Sequence, residues 1–552
     1  MTHQFLFLLA VCCSNFFASG NAVQQGGQQQ VSPAARAEVL RGAYDRSRAN
    51  NDLLYYYLNV RIDPERKHIS GKNTIRFKML EADNLIQIDL HEALGVEKIL
   101  FREKPLEYTR EMNAVFIRFP QLLKAGETYE IEFHYFGNPK KQARFGGIAF
   151  RVDPQGRPWV NTACQGDGSS MWWPSKDHWR DEVESMDISV AVPNALTNVS
   201  NGRFQGKVDL GDGYTRWDYH VSYPINSYCV SLNVGTYEHF SEEFHDLTLD
   251  YYVLPERLDD AKAQFAQVKP MMEAFYHYFG EYPFQRDGFK LIHVPYAGME
   301  HQSAVTYGNQ FTNGYRNRDW TGVGVSMKFD FIIIHESGHE WFGNAVSAAD
   351  VSDMWIHEGW TTYLECMYVE QVFGYEDALK YTNGYKNKVR NRQPIITKRG
   401  LHRTPPQDMY FKGALFLHTL RNVMHDDEKW WALVRATYDQ FKYKNILTEE
   451  MIALFNEHFD RDMTPIFDEY LRHAQLPTLE LQFDAAADTV KYRWRASEES
   501  FNMPIRVGTS DAWQTIQPTT QWQSMETELA ADDFAVATDL YYVNVDKKDA
   551  AN

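Results

Sequence analysis

The spacing of apolar residues changes twice along this chain, and those two changes constrain its fold more than any other feature. From about residue 52 to 245 the period is two. Leu54, Tyr56, Leu58, Val60 and Ile62 alternate with Tyr55, Tyr57, Asn59 and Arg61; Ile75, Phe77 and Met79 repeat the pattern, as do Tyr129, Ile131 and Phe133. Successive side chains of a strand point to opposite faces, so the alternation predicts strands buried on one face. Asp63-Pro64 and Gly137-Asn138-Pro139 separate them as turns. Near residue 250 the spacing becomes helical, over 258–279, 328–345 and 357–373. Pro477 ends that regime, and alternation returns at Leu479, Leu481 and Phe483, then at Val490, Tyr492 and Trp494. A chain of 552 residues exceeds a single core at roughly 100–200 residues per domain. The expectation is a multidomain α+β protein: an N-terminal antiparallel β domain over 45–245, a mainly helical domain over 246–475 and a small C-terminal β-sandwich over 476–552.

Residues 1–20 stand apart. Phe5 to Cys13 reads FLFLLAVCC, long enough for a signal-peptide core and too short to span a bilayer, with Ala18, Ser19 and Gly20 as small residues for cleavage. This predicts export to a periplasmic or extracellular space; a buried N-terminal strand is the alternative. Cys12 and Cys13 invite a lipoprotein reading, against which Val11 is a poor residue before a lipidated cysteine. Residues 21–44, with QQGGQQQ at 24–30, read as a flexible tether. Cys164, Cys229 and Cys366 then remain, too few and too widely spaced for a disulfide framework or a cysteine metal site, and are expected as buried thiols. The chain carries 74 acidic and 56 basic residues, a formal balance of −18, which argues against binding nucleic-acid phosphates. No apolar run of about 18 residues is present, so no stable membrane span is expected.

The chemistry concentrates at 335–344, HESGHEWFGN, after the apolar run Phe331 to Ile334. On a helix, residues four apart lie about 40° apart in azimuth and one turn apart in height, so the imidazoles of His335 and His339 can reach one ion. Glu336 follows the first ligand, so its carboxylate falls beside the ion, where it can take a proton from water. Eighteen residues separate His339 from Glu358, in the string Trp355-Ile356-His357-Glu358-Gly359-Trp360, which offers the carboxylate of a His₂Glu zinc site with one position left open. Upstream, Ala297-Gly298-Met299-Glu300-His301 follows a strand-like run from Lys290 to Val294.

Read together, these motifs resemble the zinc aminopeptidases of the aminopeptidase N and leukotriene hydrolase/aminopeptidase type, from about residue 45 to 547. The resemblance implies a thermolysin-like catalytic domain between two β domains, one Zn²⁺ per chain, and peptides with a free N-terminal amine as substrates. It implies His335, His339 and Glu358 as metal ligands and Glu336 as general base. Glu300 would capture the substrate amine from the Gly298-Met299-Glu300 strand. Tyr410, in Tyr410-Phe411-Lys412-Gly413, would donate to the oxyanion, and Gln165, in Ala163-Cys164-Gln165-Gly166, would reach the site beside Glu300. Two positions depart from the family motif: Ala297 stands for Gly, and His301 for the Asn that holds substrate backbone. The long C-terminal helical domain of many relatives is expected to have no counterpart. Glu365, seven residues past Glu358, is a candidate to orient a ligating imidazole, with a solvated carboxylate as the alternative. His293 and His357 receive no role, and Trp172, Trp173, Trp341, Trp355 and Trp360 are expected to be mostly core. Two other functions stay open at this level: a catalytically idle peptide-binding relative, and a bifunctional epoxide hydrolase/aminopeptidase.

Overall fold

A computed structural model describes residues 32–140, 146–484 and 488–549; the segment read above as a signal peptide lies outside them. The N-terminal strands form an eight-stranded sheet with Asn51–Asp63 in its interior, paired antiparallel to His68–Met79 and parallel to Ser185–Pro193. The alternation is the cause: Tyr56, Leu58, Val60 and Ile62 are all buried. A register shift between Leu53 and Tyr55 breaks it at the start, so Leu53, not Leu54, enters the core. The domain is thus mainly but not wholly antiparallel. Residues 33–42 of the stretch read as tether form a helix, Pro33–Gly42, begun by Ser32, whose hydroxyl accepts from Ala35 N. Polyglutamine-like composition nearby hid this helix, which is held by ion pairs from Arg41 to Asp177 and from Glu38 to Arg403.

The catalytic domain opens on a five-stranded sheet of Glu238–Phe244, Leu247–Val253, Phe289–His293, Val305–Tyr307 and Gly298–Met299. Strand Glu238–Phe244, assigned above to the first domain, therefore belongs with the second; alternation reveals a strand but not its sheet. The expected helix over 328–345 is shorter, Phe331–Gly338, with His339 as its C-cap. The helix carrying Glu358, Trp355–Phe373, packs against Asp408–Met424 through two glycines. A Cβ on Gly413 would stand 2.8 Å from Gly359 Cα, and one on Gly359 3.1 Å from Gly413 Cα. That contact sets Tyr410, one turn earlier on its helix, over Glu358.

The last residues form β structure, as expected, in a four-stranded and a three-stranded sheet, with Leu479, Leu481, Phe483, Val490 and Trp494 buried. Tyr470 at the end of the catalytic domain donates to Tyr542 O at 2.8 Å, fastening the two. Among the described residues no helix is long and apolar enough to cross a membrane.

Gly413→Ala tests the helix contact. Alanine favours a helix interior by about 1 kcal/mol over glycine, whereas overpacking a tight contact costs about 1–3 kcal/mol. We expect a lowered thermal midpoint and reduced turnover; a raised midpoint with unchanged turnover would contradict the close approach.

Candidate active site

The helix that presents the two histidines is held at its start by Asp330. Its carboxylate accepts from Ile332 N at 3.1 Å and Ile333 N at 3.3 Å, and also from Gln264, Tyr307 and Asn309 side chains. One turn on, the rings of His335 and His339 stand 4.9 Å apart and nearly perpendicular. Each has one nitrogen already engaged. His335 Nδ1 meets Glu365 Oε1 at 2.6 Å, and the other Glu365 oxygen accepts from the hydroxyls of Tyr381, at 2.6 Å, and Tyr385. His339 Nδ1 lies 3.0 Å from both Phe342 O and Thr361 Oγ1. Nδ1 therefore carries the proton on both rings, and both Nε2 lone pairs face inward. The WFGN segment has a steric reason: a Cβ on Gly343, which has φ 129°, would lie 2.9 Å from His339 Nδ1.

Glu358 supplies the third donor. Its Oε1 accepts from Gln165 Nε2 at 2.5 Å and from the Tyr410 hydroxyl at 2.9 Å. Its Oε2 is buried without a hydrogen-bond partner, 3.2 Å from His339 Nε2 and 3.6 Å from His335 Nε2. A tetrahedral zinc with bonds of about 2.0–2.2 Å needs donors roughly 3.3 Å apart. The orphaned oxygen and the two facing nitrogens fit that requirement, and two imidazoles with a carboxylate are the donor chemistry of a catalytic zinc.

Around these donors the charge is dense and buried. Burial pushes the Glu336 carboxyl up to about 8, with Glu300 and Glu358 adding to the rise and the imidazoles opposing it. Glu300 is also raised, by burial first and then by Glu358. Burial alone would raise Glu358 too, but His339 and His335 override it and hold it well below the carboxylate range. Tyr410 is raised by burial and by Glu358, so its hydroxyl keeps its proton and remains a donor.

The structure brings the predicted residues together. Glu300 Oε1 accepts from Gln165 Nε2 at 2.8 Å, so one amide bridges Glu300 and Glu358. Gly298 is required, because a Cβ there would meet Glu336 Cγ at 2.7 Å. Met299 is buried as a core residue on its short strand and touches none of these groups by hydrogen bond. His301 is fully buried with neither ring nitrogen hydrogen-bonded, and burial lowers its pKa to about 3, so it is neutral. His357 stacks on Trp179 at 4.7 Å and accepts from Ala348 N, and His293 packs against Trp159 and Phe311; both are packing residues. The five tryptophans are all buried, as are the three free thiols. Sequence reasoning missed Tyr228, whose hydroxyl donates to Glu300 Oε1 at 3.0 Å, and the pair Tyr381 and Tyr385. With 32 tyrosines in the chain, no local signal marks these three.

The geometry defines a class, a hydrolase with two imidazoles and a carboxylate placed to hold a zinc ion and a further carboxylate, Glu336, beside them. Comparison with known proteins then gives the family. Residues 263–470 match the Peptidase family M1 domain and residues 53–229 the Peptidase M1 N-terminal domain, together well over half of the chain. The protein belongs to the M1 family of zinc metallopeptidases. It is 22% identical over 494 residues to aminopeptidase B of Mus musculus, covering 79% of this chain and 71% of that protein. Against human aminopeptidase B the identity is 22% over 471 residues, covering 76% and 68%. Among solved structures, a mutant M1 zinc metallopeptidase of Deinococcus radiodurans bound to a Tyr-Ser-Ala substrate shares the fold, with a TM-score of 0.64, 19% identity and coverage of 78% and 96%. A mutant two-domain M1 zinc metallopeptidase bound to L-tryptophan gives a TM-score of 0.63 at 19% identity, with coverage of 77% and 95%.

Replacing Glu365 tests how His335 is oriented. Loss of such a partner typically costs about 10–100-fold in metal affinity. Glu365→Gln should show that loss in competition with a zinc chelator; an unchanged affinity would mean that Glu365 does not support the ligand.

Proposed function

We propose that this zinc aminopeptidase removes single residues from the free N-terminus of peptides, with its parts assigned as follows. The observation that carries the reading is the Gln165 amide joining Glu300 to Glu358, at 2.8 and 2.5 Å. It sets a buried carboxylate, suited to an ammonium, directly beside the metal donors. A zinc ion held by His335, His339 and Glu358 would supply Lewis acidity, making water acidic enough to lose a proton near neutral pH. Glu336 takes that proton as the water attacks and returns it to the leaving nitrogen. Tyr410 donates its hydroxyl to the oxygen on which negative charge develops, a contact whose loss typically costs about 10²–10³ in rate. Glu300, oriented by Gln165 and Tyr228, pairs with the α-ammonium. A substrate without a free amine would leave that carboxylate buried and unpaired, which is expensive. Only the bond one residue from the N-terminus then lies over the donors.

Export fits this activity, and the apolar run from Phe5 to Cys13 with small residues after it supports a cleaved signal. N-terminal sequencing of the native protein should find a start near residue 21 in material outside the cytoplasm; an intact Met1 on cytoplasmic protein would contradict it.

The roles of the two carboxylates separate by mutation. Glu336→Gln should abolish turnover of an aminoacyl anilide while zinc content stays at that of the wild type. Glu300→Ala should raise KM steeply for substrates with a free amine and narrow the gap to N-acetylated ones. Substantial turnover in the first variant, or an undiminished preference in the second, would remove that residue from its role.

A further inference from the structure

The cavity beside the metal donors has a far end that the assignments above leave unused. It encloses about 420 Å³ and runs from Gly298, His335 and Glu336 to Trp320, Lys388 and Arg390; neither Glu300 nor Gln165 lines it. A peptide with its ammonium on Glu300 and its first carbonyl over the donors therefore sends its remaining residues this way. The wall is a run of rings. Phe331 stacks on His335 at 5.3 Å, Trp320 lies 5.7 Å from Phe331, and Phe411 lies 6.2 Å from Trp320. At the end of the run Lys388 Nζ sits 3.7 Å over the Trp320 ring.

Lys388 is partly buried, Asp319 is the one carboxylate whose charge acts on it, and among the described residues no ion pair or hydrogen bond is made by its ammonium. Asp319 acts on it through space and not by contact, since its oxygens accept from Ser326 Oγ, from Gly322 N at 3.1 Å and from Gly324 N at 2.6 Å. Cation–π contact with tryptophan fixes the position of Lys388 without neutralising it. A partly desolvated cation beside the ring-lined wall of the cavity is what a ligand carboxylate would complete. A volume of this size suits a ligand of small-molecule dimensions, which in peptide terms is a residue or two beyond the scissile bond.

We propose, resting on the aminopeptidase reading, that this end of the cavity selects peptides bearing a carboxylate on the leaving side close to the scissile bond. Lys388 reads the carboxylate, and Phe331, Trp320 and Phe411 take the apolar part of the leaving residue. Two sources present that chemistry: the C-terminus of a short peptide, or an acidic side chain just after the scissile bond.

The test compares zinc-loaded wild type and Lys388→Met on alanyl-phenylalanine as free acid and as C-terminal amide, and on alanyl-glutamate amide against alanyl-glutamine amide, with alanine anilide alongside. Calorimetric affinities for the same peptides on Glu336→Gln, with and without Lys388→Met, give a readout that needs no turnover. We expect the wild type to favour the carboxylate member of at least one pair by about tenfold, the scale of one charge-assisted hydrogen bond. Lys388→Met should bring that ratio to within about twofold, mainly through KM, with the same collapse in binding. The pair that shows the effect identifies the source. Ratios near one for both pairs in the wild type, or a preference that survives in the variant, overturn the proposal while leaving the anilide activity intact. If nothing is hydrolysed, the anilide included, the aminopeptidase reading falls, and equal calorimetric affinities would overturn the carboxylate site in its own right.

Discussion

The meeting of three buried donor atoms is the constraint on which the rest of this structure depends. His335 and His339 Nε2 converge on an oxygen of Glu358 that nothing else satisfies. Glu300 and Glu336 crowd the same space, and Glu365 stands behind His335. Buried carboxylates at this density repel one another and lose their hydration, so they demand a cation of matching charge. Every neighbour is placed to keep the donors facing inward. Glu365 and the Phe342 carbonyl take the outer imidazole nitrogens, while Gln165 and Tyr410 occupy the outer oxygen of Glu358. Asp330 fixes the start of the helix, and Gly359 against Gly413 lets the third ligand and Tyr410 approach.

The second organising fact is that the site is shared between domains. The donors and the base come from the catalytic domain, but Gln165 and Tyr228, which orient Glu300, come from the β domain. The loop carrying Gln165 is tied across the interface, with His402 meeting Gly166 O at 2.6 Å. The helix Pro33–Gly42 reinforces the same junction, since Glu38 pairs with Arg403 and Glu38 O accepts from His402 N. The setting of Glu300 is thus a property of domain packing, and the convergence of His335, His339 and Glu358 is a property of two helices.

This division explains what could be read in the chain beforehand. The gathering of His335, His339 and Glu358 with Glu336 beside them was legible because helical geometry converts a spacing of four into shared reach, and because the Glu358 string follows at a fixed interval. The order of domains was legible because burial on one face writes a period into each strand and helix. The partners that orient the donors were not. Tyr228 lies 72 residues from Glu300, and Tyr381 and Tyr385 reach Glu365 from the following helix and turn. Such contacts depend on tertiary packing, which leaves no local pattern. Alternation likewise marked Glu238–Phe244 as a strand but could not say which sheet it joins, and the bulge at Leu53 shifted one core position by a residue. His301 fills a buried position where the family motif has Asn, and the nearby amide of Asn344 donates to Glu300 O at 2.9 Å.

X-ray absorption at the zinc edge, on metal-free protein given one equivalent of Zn²⁺, bears most directly on the central claim. The account predicts uptake of one ion per chain into a four-coordinate shell of nitrogen and oxygen at about 2.0–2.2 Å, with two imidazoles in the outer scattering and no sulfur. A shell containing sulfur, one without imidazole scattering, or no uptake at all would contradict it.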